Sequence, residues 1–376
     1  MATTRSATDA EANKEQQRPD PPSAEETATE ASGTTGPASE AATAGPPTPA
    51  PPTPRFRWLP RRPPPRPRFR CHGRGALTSS CSILLTLLLL CHGWIPNTHG
   101  RLGSLLDTLL PWTALAIPPL LVTALLRRAW PALAALALPT LVWTTLFGPA
   151  LAPKSVPGGD LTVVSHNVNQ DNRDPQGTVR SLLAARPDVL ALQELSPRTA
   201  PAYQRALASS YPYHYYEETV GLWSTYPLHN ARAVPIMPWT RSVRATVDTP
   251  EGPLAVYVVH LPSVRVTTAG FTTRGRDEAL GRLAAHVGSD NPRRLVMMGD
   301  FNGSTDDRAL QPLTTAMDSA QSTAGHGFGF TWPSAFPITR IDEILTKGVE
   351  ATSAWTLPAT TSDHLPVAAR IALRGS

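Results

Sequence analysis

A chain of 376 residues is long enough for one large domain or two smaller ones, and its composition changes along its length. Residues 1–153 hold 14 Lys and Arg against 9 Asp and Glu, whereas residues 154–376 hold 20 of each. Because the whole excess of +5 lies outside the C-terminal region, that region lacks the net basic charge typical of a dedicated nucleic-acid-binding domain.

The N-terminal residues are predicted to be disordered. Residues 1–54 are mainly Ala, Thr, Pro, Ser and Glu, and such a segment buries too little apolar surface to offset the entropy lost on ordering. An arginine- and proline-rich run at residues 56–74 directly precedes an apolar segment. We interpret it as a cytoplasmic juxtamembrane anchor in preference to a nucleic-acid-binding tail. Residues 1–75 are thus a predicted disordered tail that ends in a basic juxtamembrane segment.

Three apolar stretches follow, and each has about the length, roughly 20 residues, that a helix needs to span a bilayer. We predict transmembrane helices within residues 76–152, at 76–95, 104–126 and 129–152. Pro118 and Pro119 predict an interruption of the second helix, and Asp107 gives that helix a polar end. The stretches lack the paired charges that mark a transport pathway, which disfavours a function inside the spans.

The arginines predict the orientation in the membrane. The basic run before the first span and Arg127 with Arg128 after the second are expected in the cytoplasm. A chain that starts in the cytoplasm and crosses the membrane three times ends outside the cell. The N-terminus is therefore predicted to be cytoplasmic and residues 154–376 extracellular; if one span failed to cross, the domain would be cytoplasmic instead.

Beyond residue 153, short apolar runs alternate with amphipathic helical patterns, which is typical of an α/β domain. We predict strands at residues 161–168, 189–195, 254–261, 294–299, 341–345 and 367–373. Amphipathic helices are predicted at residues 178–185 and 274–287. The pattern has no internal repeat, and no Gly-rich phosphate loop opens a helix.

Polar side chains stand where these predicted strands begin or end: Asn167, Gln193, Glu194, His260, Asp300, Asn302, Asp342, Asp363 and His364. Functional groups of α/β folds collect at strand ends, because the sheet is rigid and the loops are accessible. A carboxylate such as Glu194 can bind Mg²⁺, which stabilises charge on a phosphoryl group and orients water. A histidine paired with a carboxylate can exchange protons near neutral pH. The set predicts metal-assisted hydrolysis of a phosphate ester.

Each signal alone also has a structural interpretation. The GDFN sequence at 299–302 is compatible with a simple capped turn, and His260 with a histidine satisfied in the core. Glu194 would fit a solvated strand exit, and Asp342 an ion-pair partner of Arg340. The occurrence of all of them, in this order, favours the catalytic interpretation.

The order also carries a family resemblance. The motifs are Asn167, Gln-Glu at 193–194, GLWSTYPL at 221–228, HLPS at 260–263, GDFN, RIDEIL at 340–345 and SDHLPV at 362–367. They resemble the endonuclease/exonuclease/phosphatase superfamily, which includes deoxyribonuclease-I-like and sphingomyelinase-like enzymes. The resemblance covers about residues 160–374 and implies a four-layer α/β sandwich with two mixed β-sheets. Two positions depart from the pattern: Thr225, where many relatives carry arginine, and Glu343, where an aromatic residue or histidine is common.

The resemblance also implies a metal site. Glu194 would be the main ligand of Mg²⁺, or of Mn²⁺, with Asn167 beside it. Asp363 would lie near the metal or a water. The Arg, Ala and Pro bias of the whole chain favours a GC-rich bacterial source, and the chain is thereby interpreted as a membrane-anchored bacterial member.

The catalytic roles are likewise those that the resemblance implies. Asp300 would orient or deprotonate the attacking water, and Asn302 would contact the phosphate. Asp342 would pair with His364, while His260 would stabilise or protonate the transition state. Whether His364 is the base or a charge stabiliser is left open.

We therefore predict a Mg²⁺-dependent phosphoesterase at the outer face of the cell membrane. Its expected partners are the lipid bilayer and a phosphodiester, either a nucleic acid or a phospholipid head group. The alternative is a catalytically silent surface binding protein on the same fold. Its sign would be the loss of a metal or histidine position, and none of those positions is missing.

Overall fold

The computed structural model of the chain describes residues 73, 75–98, 100–268 and 270–373. The predicted disordered tail lies outside the described residues, except for residues 73 and 75. The described residues all belong to one unit of the fold, Pro67–Ser376. Contacts between the apolar helices and the C-terminal domain are therefore contacts within one unit.

The apolar region is helical, as predicted. Its helices are α1 (Ala76–Cys91), α2 (Leu102–Leu109), α3 (Ile117–Leu126) and α4 (Trp130–Leu151). A 3₁₀ segment over Leu110–Ala116 joins α2 to α3, directly before Pro118 and Pro119, so the expected interruption is present. By length and composition, three helical segments can cross a membrane: Ala76–Trp94, Leu102–Leu126 and Trp130–Leu151.

Two six-stranded sheets form the C-terminal domain. The first has the order β13-β14-β1-β2-β4-β3. Its strands are β1 (Leu161–Asn167), β2 (Val189–Gln193), β3 (Tyr213–Glu217), β4 (Val220–Ser224), β13 (Glu350–Thr356) and β14 (Val367–Ala372). Strands β1 and β2 run parallel, and their neighbours pair antiparallel.

The second sheet has the order β11-β12-β10-β7-β6-β5. Its strands are β5 (Leu228–Ala233), β6 (Ser242–Thr249), β7 (Gly252–His260), β10 (Leu295–Asp300), β11 (Asp318–Ser319) and β12 (Asp342–Lys347). Only β7 and β10 are parallel within this sheet. A separate two-stranded ribbon consists of β8 (Val266–Thr267) and β9 (Gly270–Phe271).

The remaining helices are α5 (Pro175–Leu183), α6 (Ala200–Leu207), α7 (Arg274–Asp290), α8 (Gln311–Thr314) and α9 (Ala320–Ala324). Local sequence sets their ends. Asp174 caps α5 by accepting the Gly177 N–H, and Pro175 occupies the first turn, where a missing N–H costs nothing. Helix α7 ends at Asn291, whose φ of 36° is the left-handed conformation that asparagine tolerates.

Successive side chains along each strand point to opposite faces of the sheet, and the apolar contacts on each face define the layers of the domain. Val163 packs between the two sheets with Val256, whereas its neighbour Val164 faces α5 and α6. On the outer face of the second sheet, Leu283 of α7 packs against Met297. The order is thus α5 and α6, first sheet, second sheet, α7. The predicted α/β fold with two mixed sheets preceded by apolar helices is confirmed.

Strand register brings the polar groups together. In the second sheet, Asp300 is the register partner of His260 on one side and of Asp342 on the other. In the first sheet, Asn167 is opposite Gln193. Gly299 lets β10 approach β7, because a Cβ atom there would lie 1.8 Å from the carbonyl oxygen of Val259.

Candidate active site

A buried histidine–aspartate pair stands at the centre of the site. His364 Nδ1 lies 2.8 Å from Asp342 Oδ2, and both side chains are buried. His364 Nε2 points toward Asp300 Oδ2, 3.9 Å away. Burial alone would lower the pKa of His364, but the charges of Asp342, Asp300 and Asp363 and the hydrogen bond to Asp342 outweigh it and raise the pKa to about 10. His364 is therefore an imidazolium at neutral pH.

Asp300 is a buried carboxylate held by amide donors. Its Oδ1 accepts the Asn302 backbone N–H at 2.8 Å, and its Oδ2 accepts from Nδ2 of Asn302 and Nδ2 of Asn167, both at 3.0 Å. The pKa of Asp300 is raised to about 7, mainly because the side chain is buried and also because of the negative charge of Asp342. The positive charge of His364 and the hydrogen bonds from Asn302 and Asn167 lower the pKa and so limit the rise. Asp300 can thus exchange a proton near neutral pH.

Asn302 orients Asp300 in this structure. Its Nδ2 carries two hydrogens, and it donates to Asp300 Oδ2 and to the Leu261 carbonyl at 2.9 Å. The φ of Asn302 is 47°, so the chain turns back on itself directly after β10. The predicted contact of Asn302 with phosphate stays a prediction.

Glu194 and Asn167 close the site from the first sheet. Asn167 Nδ2 donates to Glu194 Oε1 at 3.1 Å, and the Gln170 N–H donates to Glu194 Oε2 at 3.2 Å. Glu194 has a φ of 59°, a left-handed conformation that costs a non-glycine residue about 1 kcal/mol. The Glu194 side chain is 26% exposed, so an ion or water can reach it. Its neighbour Gln193 faces the core, where its Nε2 donates to Ser165 Oγ.

His260 is paired with an arginine that sequence reasoning missed. Arg241 Nη2 lies 2.5 Å from His260 Nε2, and Arg241 Nε donates to the His260 carbonyl at 2.9 Å. Burial first, then the charges of Arg241 and His364, lower the pKa of His260 well below its ordinary value. His260 is therefore neutral and accepts from Arg241. Arg241 belongs to no motif; its only sequence signal is its position directly before a buried strand.

Asp363 lies at the exposed rim. Its Oδ1 accepts from Asn169 Nδ2 at 2.8 Å, and its Oδ2 accepts from Trp332 Nε1 at 3.3 Å. Partial burial opposes the shift, but the Asn169 hydrogen bond and the charge of His364 lower the pKa of Asp363. It is an anion at neutral pH, and its predicted role at the metal stays a prediction.

Two hydroxyl groups support the site, and neither was predicted. Ser362 Oγ donates to the Asn167 carbonyl at 2.6 Å and accepts the His364 N–H at 3.1 Å, which ties the end of β1 to the loop that leads into β14. Thr331 Oγ1 accepts the Asp342 N–H at 3.3 Å. Ser362 stands inside the SDHLPV motif, whereas Thr331 has no pattern around it.

Comparison with known protein families identifies the family to which this site belongs. The sequence profile of the Endonuclease/Exonuclease/phosphatase family matches residues 164–364, more than half of the chain. The chain belongs to this family. The match begins in β1 and ends at His364, so it spans all the predicted site residues.

Solved structures of similar chains have low sequence identity. An endonuclease/exonuclease/phosphatase from Beutenbergia cavernae is 18% identical, over 58% of this chain and 72% of that one, with a TM-score of 0.48. A mannosyl-6-phosphatase from Bacteroides thetaiotaomicron is 13% identical, over 56% and 99%, with a TM-score of 0.48. Truncated TDP2 from Caenorhabditis elegans is 19% identical, over 56% and 97%, with a TM-score of 0.47. Comparison with curated proteins found no match. The family assignment rests on the profile match.

Members of the family are metal-dependent phosphoesterases, and the donor set of this member fits a divalent ion. Carboxylate oxygens of Asp300 and Asp342 and a ring nitrogen of His364 all lie within 4.8 Å of one another, but His364, as an imidazolium, cannot itself bind an ion, which leaves the two carboxylates as donors. Asp342 Oδ1 is buried and has no hydrogen-bond partner among the described residues. With Glu194 facing Asp300 through Asn167, the site is rich in carboxylate oxygens, which hard cations prefer. The buried group is not the predicted ligand set of Glu194, Asn167 and Asp363.

The departure from the family pattern at Glu343 is accommodated locally. Glu343 is buried, and its Oε1 lies 2.5 Å from Arg340 Nε while its Oε2 accepts from Ser319 Oγ at 3.1 Å. Arg340 is thus the partner of Glu343, and Asp342 pairs with His364. This excludes the interpretation of Asp342 as only an ion-pair partner of Arg340.

Proposed function

We propose that the protein is a Mg²⁺-dependent phosphoesterase that hydrolyses a phosphodiester at the outer face of the cell membrane. The observation that carries the proposal is the buried His364–Asp342 pair directed at Asp300. The Nε2 atoms of His364 and His260 lie 3.9 and 3.8 Å from Asp300 Oδ2, and the guanidinium of Arg241, a second cation, contacts His260 Nε2. Core packing alone gives no reason to bury so many charges together.

Asp300 is the proposed proton acceptor. Its pKa of about 7 lets it take a proton from an attacking water near neutral pH, and Asn302 and Asn167 fix its two oxygens. His364, as an imidazolium, then stabilises charge that develops on the phosphoryl oxygens. The pKa of about 10 favours this role for His364 over that of general base.

Arg241 is proposed as the second cation at the phosphoryl group. Its guanidinium lies against His260 Nε2, which accepts from it and so orients it. The same His260 Nε2 is 3.6 Å from Glu194 Oε1 and 3.8 Å from Asp300 Oδ2, which supports a position of Arg241 beside these two carboxylates. A bound Mg²⁺ or Mn²⁺ would be held by Glu194, with Asn167 and Asp363 as further ligands. When bound, the ion neutralises phosphoryl oxygens and orients the water.

The contacts of the apolar helices support an extracellular domain. The connection between the first and second spans contacts the catalytic domain, since the Phe271 N–H donates to the Gly100 carbonyl at 2.8 Å. The domain also follows α4 in sequence. The connection and the catalytic domain must then lie on the same side of the membrane. A chain that crosses three times meets this condition, whereas a chain that crosses twice does not. With Arg127 and Arg128 on the cytoplasmic side, that side is the outer one.

The rim of the site favours a phospholipid head group over a nucleic acid. Trp332 donates to Asp363 and is 38% exposed, and nearby Phe336 is 69% exposed. Large aromatic side chains are common at the interface of a bilayer, where one end of the ring system is apolar and the other wet. The domain also has equal numbers of acidic and basic residues, so it lacks a net charge to capture a polyanion.

The proposal is tested on the full chain in lipid nanodiscs. Hydrolysis of bis-p-nitrophenyl phosphate, plasmid DNA, sphingomyelin and phosphatidylinositol phosphates is measured with Mg²⁺ and with EDTA. We expect Mg²⁺-dependent turnover that an Asp300→Ala, His364→Ala double variant loses by roughly a thousandfold or more. Asp248→Asn, at an exposed ion pair with His229, is the matched control.

Three outcomes separate the alternatives. Turnover of a phospholipid alone supports the proposed substrate, and turnover of DNA alone supports a nuclease. If none of the substrates is hydrolysed by a folded wild-type chain, the silent binding protein becomes the better interpretation.

A further inference from the structure

Arg308, the first residue of a short 3₁₀ helix (Arg308–Leu310) that follows the GDFN motif, binds the apolar helices with its whole guanidinium. Its Nε and Nη2 donate to the two carboxylate oxygens of Asp107 at 2.7 and 2.8 Å. Its remaining donors reach the carbonyls of His92, Gly93 and Ile95 at 2.8–2.9 Å. All five N–H groups of the guanidinium are therefore used. Those carbonyls are the open end of the first helical segment, where a helix dipole favours a cation.

This ion pair lies at the junction of the helices and the domain, with its carboxylate buried and its guanidinium partly buried. The Asp107 side chain is 3% exposed and that of Arg308 is 23% exposed. A carboxylate on an apolar helix is costly unless a cation meets it, so Asp107 and Arg308 depend on each other. The hydrogen bonds to Asp107 come first among the causes that raise the pKa of Arg308.

From Arg308 the contacts continue to the catalytic loop. Its neighbour Asp307 forms a fully buried ion pair with Arg276, with 2.7 Å between Oδ2 and Nη1. The same Nη1 of Arg276 donates to the Asn302 carbonyl at 3.2 Å. Asn302 in turn donates twice to Asp300. Charged and polar contacts thus connect Asp107 on a predicted span to the proposed proton acceptor.

A second connection reaches the same arginine. Arg276 Nε and Nη2 both lie 2.9 Å from Asp277 Oδ1. Asp277 Oδ2 is 3.6 Å from Nη1 of Arg101, in the connection between the first two spans. Arg276 therefore stands where two links from the helices meet beside Asn302. A shift of the helices against the domain would reach this arginine by both routes.

We propose that Asp107 is a positioning residue, which acts through Arg308, Asp307 and Arg276 to hold the loop that carries Asn302 and so to orient Asp300 at the end of β10. The apolar helices are then part of the active structure as well as its anchor. The inference rests on the proposed function, since it takes this loop to be catalytic. A displacement of about 1 Å in such a loop can cost up to about a hundredfold in rate.

The test uses full-length variants in nanodiscs. Asp107→Asn keeps the shape of the side chain and removes its charge. Arg308→Lys keeps the charge but has three donors in place of five and no bidentate geometry. Asp248→Asn is the control for loss of an exposed carboxylate. Turnover is measured well below the unfolding temperature and per folded molecule, together with amide hydrogen exchange of residues 301–310.

We expect Asp107→Asn to lower kcat by about tenfold or more and to change KM by less than about twofold. Arg308→Lys is expected to lie between wild type and Asp107→Asn, because it restores part of the contact. Amide exchange in residues 301–310 should rise at least about tenfold in Asp107→Asn and remain at the wild-type rate in Asp248→Asn.

Either of two results would overturn the inference. One is unchanged exchange in residues 301–310, whatever the activity. The other is faster exchange with kcat unchanged. If wild type hydrolyses nothing, the proposed function fails, and the exchange measurement alone decides whether Asp107 holds the loop. If Asp107→Asn does not insert, Arg308→Lys, outside the spans, gives the same readouts.

Discussion

Replacing Asp342 by asparagine tests the electrostatics of the site most directly. Asparagine has the same shape, and its Oδ1 can still accept from His364 Nδ1, but the negative charge is gone. Folding raises the pKa of His364 from 6.5 to about 10 against the opposing effect of burial, and Asp342 is the leading cause of the rise. We therefore expect the pKa of His364 in the variant to fall to its ordinary value or below.

The magnitude follows from the same two pKa values. A rise from 6.5 to about 10 corresponds to a preference for the imidazolium on the order of 5 kcal/mol. Since the folded pKa is the higher one, this stabilisation is complete below about pH 6.5 and is lost as the pH rises through about 10. At about pH 7 the variant should lose on the order of 3 kcal/mol, the usual cost of breaking a buried ion pair.

Two assays measure the effect. The pH dependence of kcat should lose its alkaline limb near pH 10 and fall already near neutrality, because the charge stabiliser deprotonates earlier. Nuclear magnetic resonance of the labelled His364 ring follows the same titration without turnover. Asp248→Asn makes the same substitution at an exposed pair with His229, where we expect a loss below about 1 kcal/mol.

The reasoning is refuted if the ring of His364 in Asp342→Asn titrates near the wild-type pKa. It is also refuted if Asp342→Asn costs no more stability than Asp248→Asn. Either result would mean that the buried pair is not the source of the charge on His364.

Four further variants probe separate parts of the molecule. Glu194→Gln should raise the Mg²⁺ concentration for half-maximal activity about tenfold or more in a metal titration, and an unchanged titration would remove Glu194 from the ligands. Arg241→Gln should lower kcat by about a hundredfold; a change confined to KM would contradict its place at the transition state. Asp300→Asn should abolish turnover. It should also raise the free energy of unfolding of the metal-free protein by on the order of 2 kcal/mol at about pH 8, because the wild-type protein must bury a charged Asp300 at that pH. Denaturant melts that show destabilisation of the variant would count against the raised pKa of Asp300. Leu222→Ala, at a fully buried residue between the sheets, should cost about 2–5 kcal/mol with kcat of the folded fraction retained, and a loss below about 1 kcal/mol would contradict the packing.

The sequence was sufficient to predict the central strands of the two sheets, but it was insufficient to predict the edge strands. Strands β1, β2, β7, β10, β12 and β14 and helices α5 and α7 were predicted, because each is a continuous apolar run or an amphipathic stripe. Strand β3 (Tyr213–Glu217) and strand β5 (Leu228–Ala233) lie at sheet edges with exposed polar side chains, so their pattern resembles that of a loop. Their conformation comes from pairing with β4 and β6, which only the folded structure supplies.

For the site, the family motifs gave the residues but not their charge states. That His364 pairs with Asp342 was predicted, and the 2.8 Å contact confirms it. That His364 is charged while His260 is neutral could not be predicted, since it depends on which side chains are buried around each ring. Arg241 was missed for the same reason, because the register of β6 against β7 brings it beside His260.

Asp107 shows most clearly what a local pattern cannot contain. A carboxylate near the start of an apolar helix predicts a polar end of that helix, and that was the prediction here. Its partner Arg308 lies 201 residues further along the chain, and the carboxylate is buried against it. A charge buried in a span must be neutralised wherever the protein functions, so the cation that meets it has to arrive with the catalytic domain. The buried carboxylate of Asp107 is therefore stronger evidence that the catalytic domain docks on the helices than the apolar character of the helices is. An anchor needs only length and hydrophobicity, whereas a buried carboxylate needs a specific partner at a fixed position.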